Sequence, residues 1–389
     1  MLSWGSNDVR VHAAMAFVSL SPRFAAENDH IVDQLDALLS DPVPAVRLQV
    51  ARNLQVLCIA APDRMWTMAR RFIIAEMEPE ILASFLAHPL HVLSTKNPEA
   101  CEEIVEGVIA RMPVVGASDR GSRDTLQEAL GNIVARLRIV GGRATAERWF
   151  ASWTEDLVRY GSALKRYLSW SKRLLFARYK ADATDEDRAV STRAQADLQQ
   201  VVEKALTLAS ASLEAFSAEG ITDEAKEAAV KSYRAAEELI ILAMNQFYFG
   251  SGAHTNASEP FIGLSTADAM RSFLDDYAAT LDALARSNEP RTHYHLVELY
   301  EYLMPGDPAR VFDAIHALLL GQAKREGFQF ETLGQGAVIR VVQRYLADHR
   351  AIFEDEGRRE KLVEILQLFA DVGWPQALKL LYDLPDLLR

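Results

Sequence analysis

Apolar residues return at three- and four-residue intervals along nearly the whole chain, and period-two alternation flanked by turn residues is absent. That pattern predicts helices throughout and an all-α protein. Near the start the helical stripe itself repeats: Val9, Ala13, Ala14, Phe17 and Leu20 recur as Val46, Val50, Ala51, Leu54 and Leu57, about 37 positions later. The acidic-Pro step Asp41-Pro42 returns as Glu78-Pro79 at the same period. A period near 40 built from helix pairs predicts an α-solenoid, which offers an extended surface rather than a ready-made catalytic pocket.

Punctuation divides the chain into three stretches. Over residues 1–140, Pro22, Pro42, Pro62, Pro79, Pro98 and Pro113 separate short helices, read as helical repeats. Residues 144–180, 185–216, 222–249 and 265–286 carry helical pattern with few breakers, so 141–289 is expected to be a middle region of longer antiparallel helices, with a loop at 250–260 from Gly250 to Pro260. After Pro290 the helices shorten again, and 290–389 is read as C-terminal repeats with a cap.

The second repeat carries a family likeness. Asp41-Pro42-Val43-Pro44-Ala45-Val46-Arg47, followed by Val50, Ala51 and Leu54, resembles the inter-helix turn and second helix of a HEAT repeat, and Val9-Arg10 matches the same step one repeat earlier. The likeness is specific over residues 5–60. It implies a right-handed α-α superhelix in which the Asp of one repeat pairs with the Arg of a neighbour, Asp41 and Arg47 being the full match here. Trp4 stands at the Asp position of the first unit, Ala83 replaces the Val of the third, and Pro89 interrupts that helix. Asp41 is expected to accept from exposed amides of the helix it precedes. Residue 6 already begins the second helix of a repeat, so the chain is expected to derive from something longer. Its closing segments, Phe369 to Ala377 and Leu384 to Arg389, resemble the C-terminal ends of large bacterial multidomain nucleotide-binding proteins, which implies a sensor or regulatory arm.

At 389 residues and 49% hydrophobic content the chain can bury an ample core. It has no apolar run of eighteen residues and neither a basic nor a long apolar leader, so the expectation is a cytoplasmic protein with no membrane partner. Cys58 and Cys101 stand apart on helical patterns and read as buried thiols. A formal charge of -12 argues against a general nucleic-acid coat, because phosphate binding needs clustered cations.

No metalloprotease, nucleophile-elbow or nucleotide-binding motif is present, so a non-enzymatic protein without cofactor or metal is expected. His293-Tyr294-His295 with Glu298 comes nearest to a metal motif, but as one reversed copy of a Glu-x-x-His pair it reads better as an interface or surface pair. His88 and His91, flanking Pro89, are read as residues of a helix terminus. One constellation rises above this background. Arg159, Arg166, Arg173 and Lys180 recur every seven residues, with Lys165 and Lys172 one position back, and Tyr160, Tyr167, Trp170, Phe176 and Tyr179 interleave with them. On a single helix these would present four cations in line. Arg159, Lys165, Arg166, Lys172, Arg173 and Lys180, with Tyr167 and Trp170, are therefore the candidate site for an anionic ligand or partner. The competing reading is structural: cations paired with neighbouring acids and aromatics in the core. The leading expectation is a scaffold or sensor module that binds a macromolecular partner, a protein, on its concave face. The alternative is a nucleic-acid-binding protein that uses residues 159–180.

Overall fold

Proline opens many of the helices, at the first position, where its missing N–H has no intrahelical partner to lose. A computed structural model describes residues 8–115, 120–254, 264–330 and 332–387, and no strand occurs among them. Contacts divide the chain into two compact units, Met1–Trp170 and Ser171–Arg389.

The first unit contains α1 (Val9–Phe24), α2 (Asp29–Leu38), α3 (Pro44–Ala51), α4 (Pro62–Ala75), α5 (Pro79–Phe85), α6 (His91–Leu93), α7 (Pro98–Val115), α8 (Arg120–Ala135), α9 (Ala144–Thr154) and α10, which begins at Gly161 and ends at Ser171. Pro44, Pro62, Pro79 and Pro98 start helices, whereas Pro22 and Pro113 lie inside α1 and α7. With the three-residue α6 set aside, helices pack on their next-but-one neighbours. α1 lies on α3, α3 on α5 and α5 on α8. α10 joins this row, because its Ala163 carbonyl comes so close to Gly131 of α8 that a Cβ there would collide with it. α4 packs on α7 in a second row, to which ion pairs tie α2 and the residue before α9. Two π-turns, Leu86–Leu90 and Arg136–Val140, lie at the C-terminal ends of α5 and α8. Pro89 explains the first, since it cannot donate to the helical ladder.

Ion pairs join successive helices within each row. Asp41 accepts from the amide of Val43 at 2.7 Å, ahead of α3 rather than within it, and takes Arg10 of α1 at 3.4 Å. Arg47 does not pair with the Asp41 carboxylate; it donates to the Asp41 carbonyl at 2.9 Å and closes a fork on Glu76 at 2.7 and 2.9 Å. Arg10 and Arg47 thus each reach an acid at the start of the next helix pair. In the second row Arg64 pairs with Asp33 at 2.6 Å, Arg71 with Asp36, Arg70 with Glu103 at 2.8 Å, and Arg143 with Glu102 at 2.6 Å.

The repeated apolar stripe is buried in one copy only. Val46, Val50, Ala51, Leu54 and Leu57 are all at most 2% exposed, but Val9 is 80% exposed and Leu20 44%, and only Ala14 of the first set is fully buried. α1 instead buries Val11, Ala14 and Ser21, because α2 and α3 cover one side of it and a different phase of the helix faces them. Leu54 and Leu57 sit past the end of α3, in a 3₁₀ turn.

The second unit opens with a 3₁₀ turn, Leu174–Tyr179, then α11 (Asp185–Phe216) and α12 (Asp223–Ser251), which pack along one another as a hairpin turned at Gly220 in the left-handed region. Thr184 and Asp187 close a capping box on α11, and three acids occupy its first turn. Gly250 and Ser251 are the last residues of α12, not loop, and Gly252 caps it at φ 95°. The rest of the expected loop, from Thr255 to Pro260, lies outside the described residues. There follow α13 (Ala267–Asp276), α14 (Ala278–Leu284), α15 (Pro290–Leu303), α16 (Pro308–Leu320), α17 (Gln322–Arg325), α18 (Thr332–Asp348), α19 (Glu356–Asp371) and α20 (Pro375–Leu387). The expected helix over 265–286 is interrupted at Tyr277, whose hydroxyl donates to the Leu175 carbonyl at 2.9 Å. Here too α15 packs on α18, α18 on α20 and α16 on α19. Arg340 bridges α18 to Glu298 and Glu301 of α15 at 3.3 and 3.2 Å, and Lys361 bridges α19 to Asp313 at 2.7 Å.

Candidate functional site

The heptad of cations does not lie on one helix. Arg159 precedes α10, which ends at Ser171; Lys172 and Arg173 stand in the turn after it, and Lys180 lies beyond the 3₁₀ turn. Packing is what breaks the helical pattern: Trp153 and Tyr167 are fully buried, Phe150 stacks on Tyr167 at 4.5 Å, and Leu175 and Phe176 turn into the core of the second unit. Tyr167 is therefore not available for stacking on a ligand, and Trp170 is half-buried. Lys180 pairs with Asp187 at 3.3 Å, Arg178 with Asp276 at 2.9 Å, and Lys172 lies 5.4 Å over the Phe249 ring. Lys165 is engaged as well. Arg159 lies over Tyr160, 5.2 Å from its ring centre. Arg173 and Arg166 are exposed.

Arg166 leads to a different cluster. Its Nε donates to Asn132 Oδ1 of α8 at 2.9 Å, and one turn further along α8 stands Arg136, first residue of the second π-turn. Arg136 donates from Nε to Ser94 Oγ at 2.9 Å and from Nη1 to His91 Nε2 at 3.2 Å. An arginine is donor-only, so His91 Nε2 is the acceptor and the ring proton is on Nδ1. His88 lies one turn back in the first π-turn, and Arg52, at the end of α3, is the charge that acts on it. The helix continues through Pro89 into α6 and ends at Leu93, so His91 stands in its last turn, with His88 one turn earlier. Both imidazoles have pKa values below the ordinary histidine value. Burial is the larger cause for each, followed by Arg52 for His88 and by Arg136 and His88 for His91. No carboxylate figures among the charges acting on either ring.

This arrangement differs from the ladder pairs of the unit, as do Arg111, which donates to the Ile73 and Glu76 carbonyls, and Arg148, which donates to the Thr145 hydroxyl. Arg10, Arg47, Arg64, Arg70, Arg71, Arg138 and Arg143 all have carboxylate partners. Among the described residues Arg136 and Arg166 have none, and both bond only to neutral groups. The result is a cationic ridge across α3, α5, α8 and α10, from Arg52 through His88, His91 and Arg136 to Arg166. Sequence reasoning recovered only Arg166 of these. The signal within reach was the pair of histidines around Pro89; their distance from Arg136, 45 residues from His91, hid the cluster.

Two other polar assemblies are accounted for. A trough of about 550 Å³ between α7 and α9 is lined by Glu99, Glu102, Glu103 and Glu106, which are taken up by Arg143, Arg70 and the Trp149 indole N–H. In the second unit His293 Nε2 bonds the Ser287 carbonyl at 2.7 Å, while His295 stacks against Tyr248 at 4.3 Å with Nδ1 3.9 Å from Glu298. The two histidines thus face different surroundings, and no three His, Cys, Asp or Glu side chains converge as metal ligands among the described residues. No helix among them is long and apolar enough to cross a membrane. No protein-family model and no curated protein matches the chain.

Proposed function

We propose that this chain is a non-enzymatic α-solenoid of HEAT type that binds a partner protein on the face formed by α3, α5, α8 and α10. The observation that carries the reading is the inter-helix ladder. In both units a cation on one helix reaches an acid 29 to 48 residues away on a neighbouring pair, and next-but-one helices pack in rows. Such a construction spends its polar residues on joining repeats and leaves a broad face for recognition. Arg136 and Arg166, two of the arginines that the ladder leaves out, lie on one such face, which favours an acidic partner segment. The heptad reading of 159–180 as a nucleic-acid groove has less support, because its cations are divided between the approach to α10, α10 itself, the turn after it and the position beyond the 3₁₀ turn, and its central tyrosine is buried. The resemblance of the closing segment extends the proposal to a regulatory arm of a larger bacterial cytoplasmic protein; there Phe369 stacks on Trp374 at 4.2 Å.

Affinity capture of partners from the source cell, with nuclease treatment before elution, tests this. The expected result is a protein retained stoichiometrically after nuclease and lost when Arg136 and Arg166 are both changed to Glu. Retention that vanishes with nuclease, or that survives the reversal, overturns it.

A further inference from the structure

α1 is apolar on two sides. Val11 and Ala14 are buried where α2 and α3 meet it, while Val9, Ala16, Leu20 and Phe24 form a second, exposed stripe at seven- and four-residue steps. Its members Val9 and Leu20 are the counterparts of Val46 and Leu57, which are buried, so the stripe has the composition of a surface between helices. A helix apolar all round belongs inside a structure, and a solenoid stays soluble when its outermost helices turn polar faces outward. α20 breaks that rule in the same way. It buries Ala377 and Leu384, while Leu378, 52% exposed, and Tyr382, 86% exposed, stand one turn apart on another side. Single exposed leucines are ordinary; large apolar side chains lined up toward solvent on two helices point to an interface.

Charge distinguishes the two stripes. α1 contains no acidic residue, its N-cap Asp8 is taken by Arg10, and His12 and Arg23 are exposed beside the apolar line. α20 carries Asp383 and Asp386 against the single cation Lys379. We propose that α1 of one copy docks on α20 of another, so that the chain associates with itself through two different faces. Pairing α1 with α1 would set His12 and Arg23 against their own kind, and pairing α20 with α20 would oppose acids. α1 on α20 instead brings opposite charges around a shared apolar centre. Such a heterologous contact leaves one face of each kind unused in a dimer, so copies continue to add. One helix face from each partner is smaller than the roughly 800 Å² of a standard interface, so the expected dissociation constant is about 10–100 μM. The inference is independent of the partner-protein reading above.

The test is analytical ultracentrifugation of the full chain alone, from about 5 to about 500 μM, a range that brackets the expected constant, at about 0.15 M salt. The weight-average mass should rise from the 43.3 kDa of one chain past twice that value. Leu20→Glu and Tyr382→Glu should each hold the chain at 43.3 kDa at the highest concentration. An equimolar mixture of the two variants should associate again and stop at two copies, because each supplies the face that the other lacks. Leu213→Glu, at an exposed leucine of α11, should leave association unchanged. If Leu20→Glu does not fold, Val9→Glu takes its place. A mass of one chain at every concentration overturns the proposal, as does association that survives both variants. Loss of association in only one variant, or no recovery in the mixture, assigns a contact between like faces and overturns it too.

Discussion

The fork between Arg47 and Glu76 should be among the costliest ladder contacts to break. Glu76 is 3% exposed and accepts four bonds: Arg47 Nε at 2.7 Å, Arg47 Nη2 at 2.9 Å, and the amides of Met77 and Glu78 at 3.0 and 2.9 Å. The guanidinium is largely buried, and its pKa is raised chiefly by the hydrogen bond it donates to Glu76. Glu76→Ala strands that charge and both amides, so it should destabilise the first unit by about 3–5 kcal/mol. Glu76→Gln keeps an oxygen for the amides and one arginine N–H, and should cost about 1–3 kcal/mol. Arg10→Ala removes an equivalent pair whose arginine is 49% exposed, and should cost at most about 1 kcal/mol. Native-state hydrogen exchange of the amides of α3 to α5 measures all three without assuming that the whole chain unfolds in one step. A Glu76→Ala cost below about 1 kcal/mol, or one equal to that of Arg10→Ala, would refute the argument that burial, not mere pairing, gives the ladder its strength.

Leu54→Ala, at a position 2% exposed, should cost about 2–5 kcal/mol through lost transfer and a residual cavity, whereas Leu20→Ala, at its 44% exposed counterpart, should cost under about 1 kcal/mol by chemical denaturation. Cys101 is fully buried with its thiol pushed up to about 12, so a maleimide or disulfide reagent at pH 8 should label only the half-buried Cys58 until the protein is unfolded. His293 is buried and held neutral, with a pKa lowered to about 4 by burial. The unfolded chain binds the extra proton between about pH 6.5 and 4, so folding stability should fall as pH drops through that window, by at most about 3 kcal/mol from this group, and His293→Asn should remove the dependence in pH-titrated urea melts.

Helix content was legible because it depends on local signals. α11 ends where its sequence pattern ends and starts at a Thr-x-x-Asp box with acids in the first turn. Pro62, Pro79 and Pro98 mark helix starts for an equally local reason. The interruption of 144–180 was not legible, since no Pro and only Gly161 mark it; the large aromatics Phe150, Trp153 and Tyr167 select the backbone path that buries them, and tertiary packing overrides helix propensity there. The same reason defeats the 37-residue stripe in α1, whose phase is set by the helices it meets. The partner of Asp41 was half legible: an Arg of a neighbouring repeat, found as Arg10, while Arg47 passes on to Glu76. The ridge was out of reach, since His91 and Arg136 meet only when two helix pairs stack.

Hydrogen exchange of the chain alone and in complex with its captured partner tests the central claim most directly. The account predicts protection over 86–94, 132–140 and 161–170, on the face carrying His88, His91, Arg136 and Arg166. Protection confined to α2, α4, α7 and α9, or to the unit Ser171–Arg389, would contradict it.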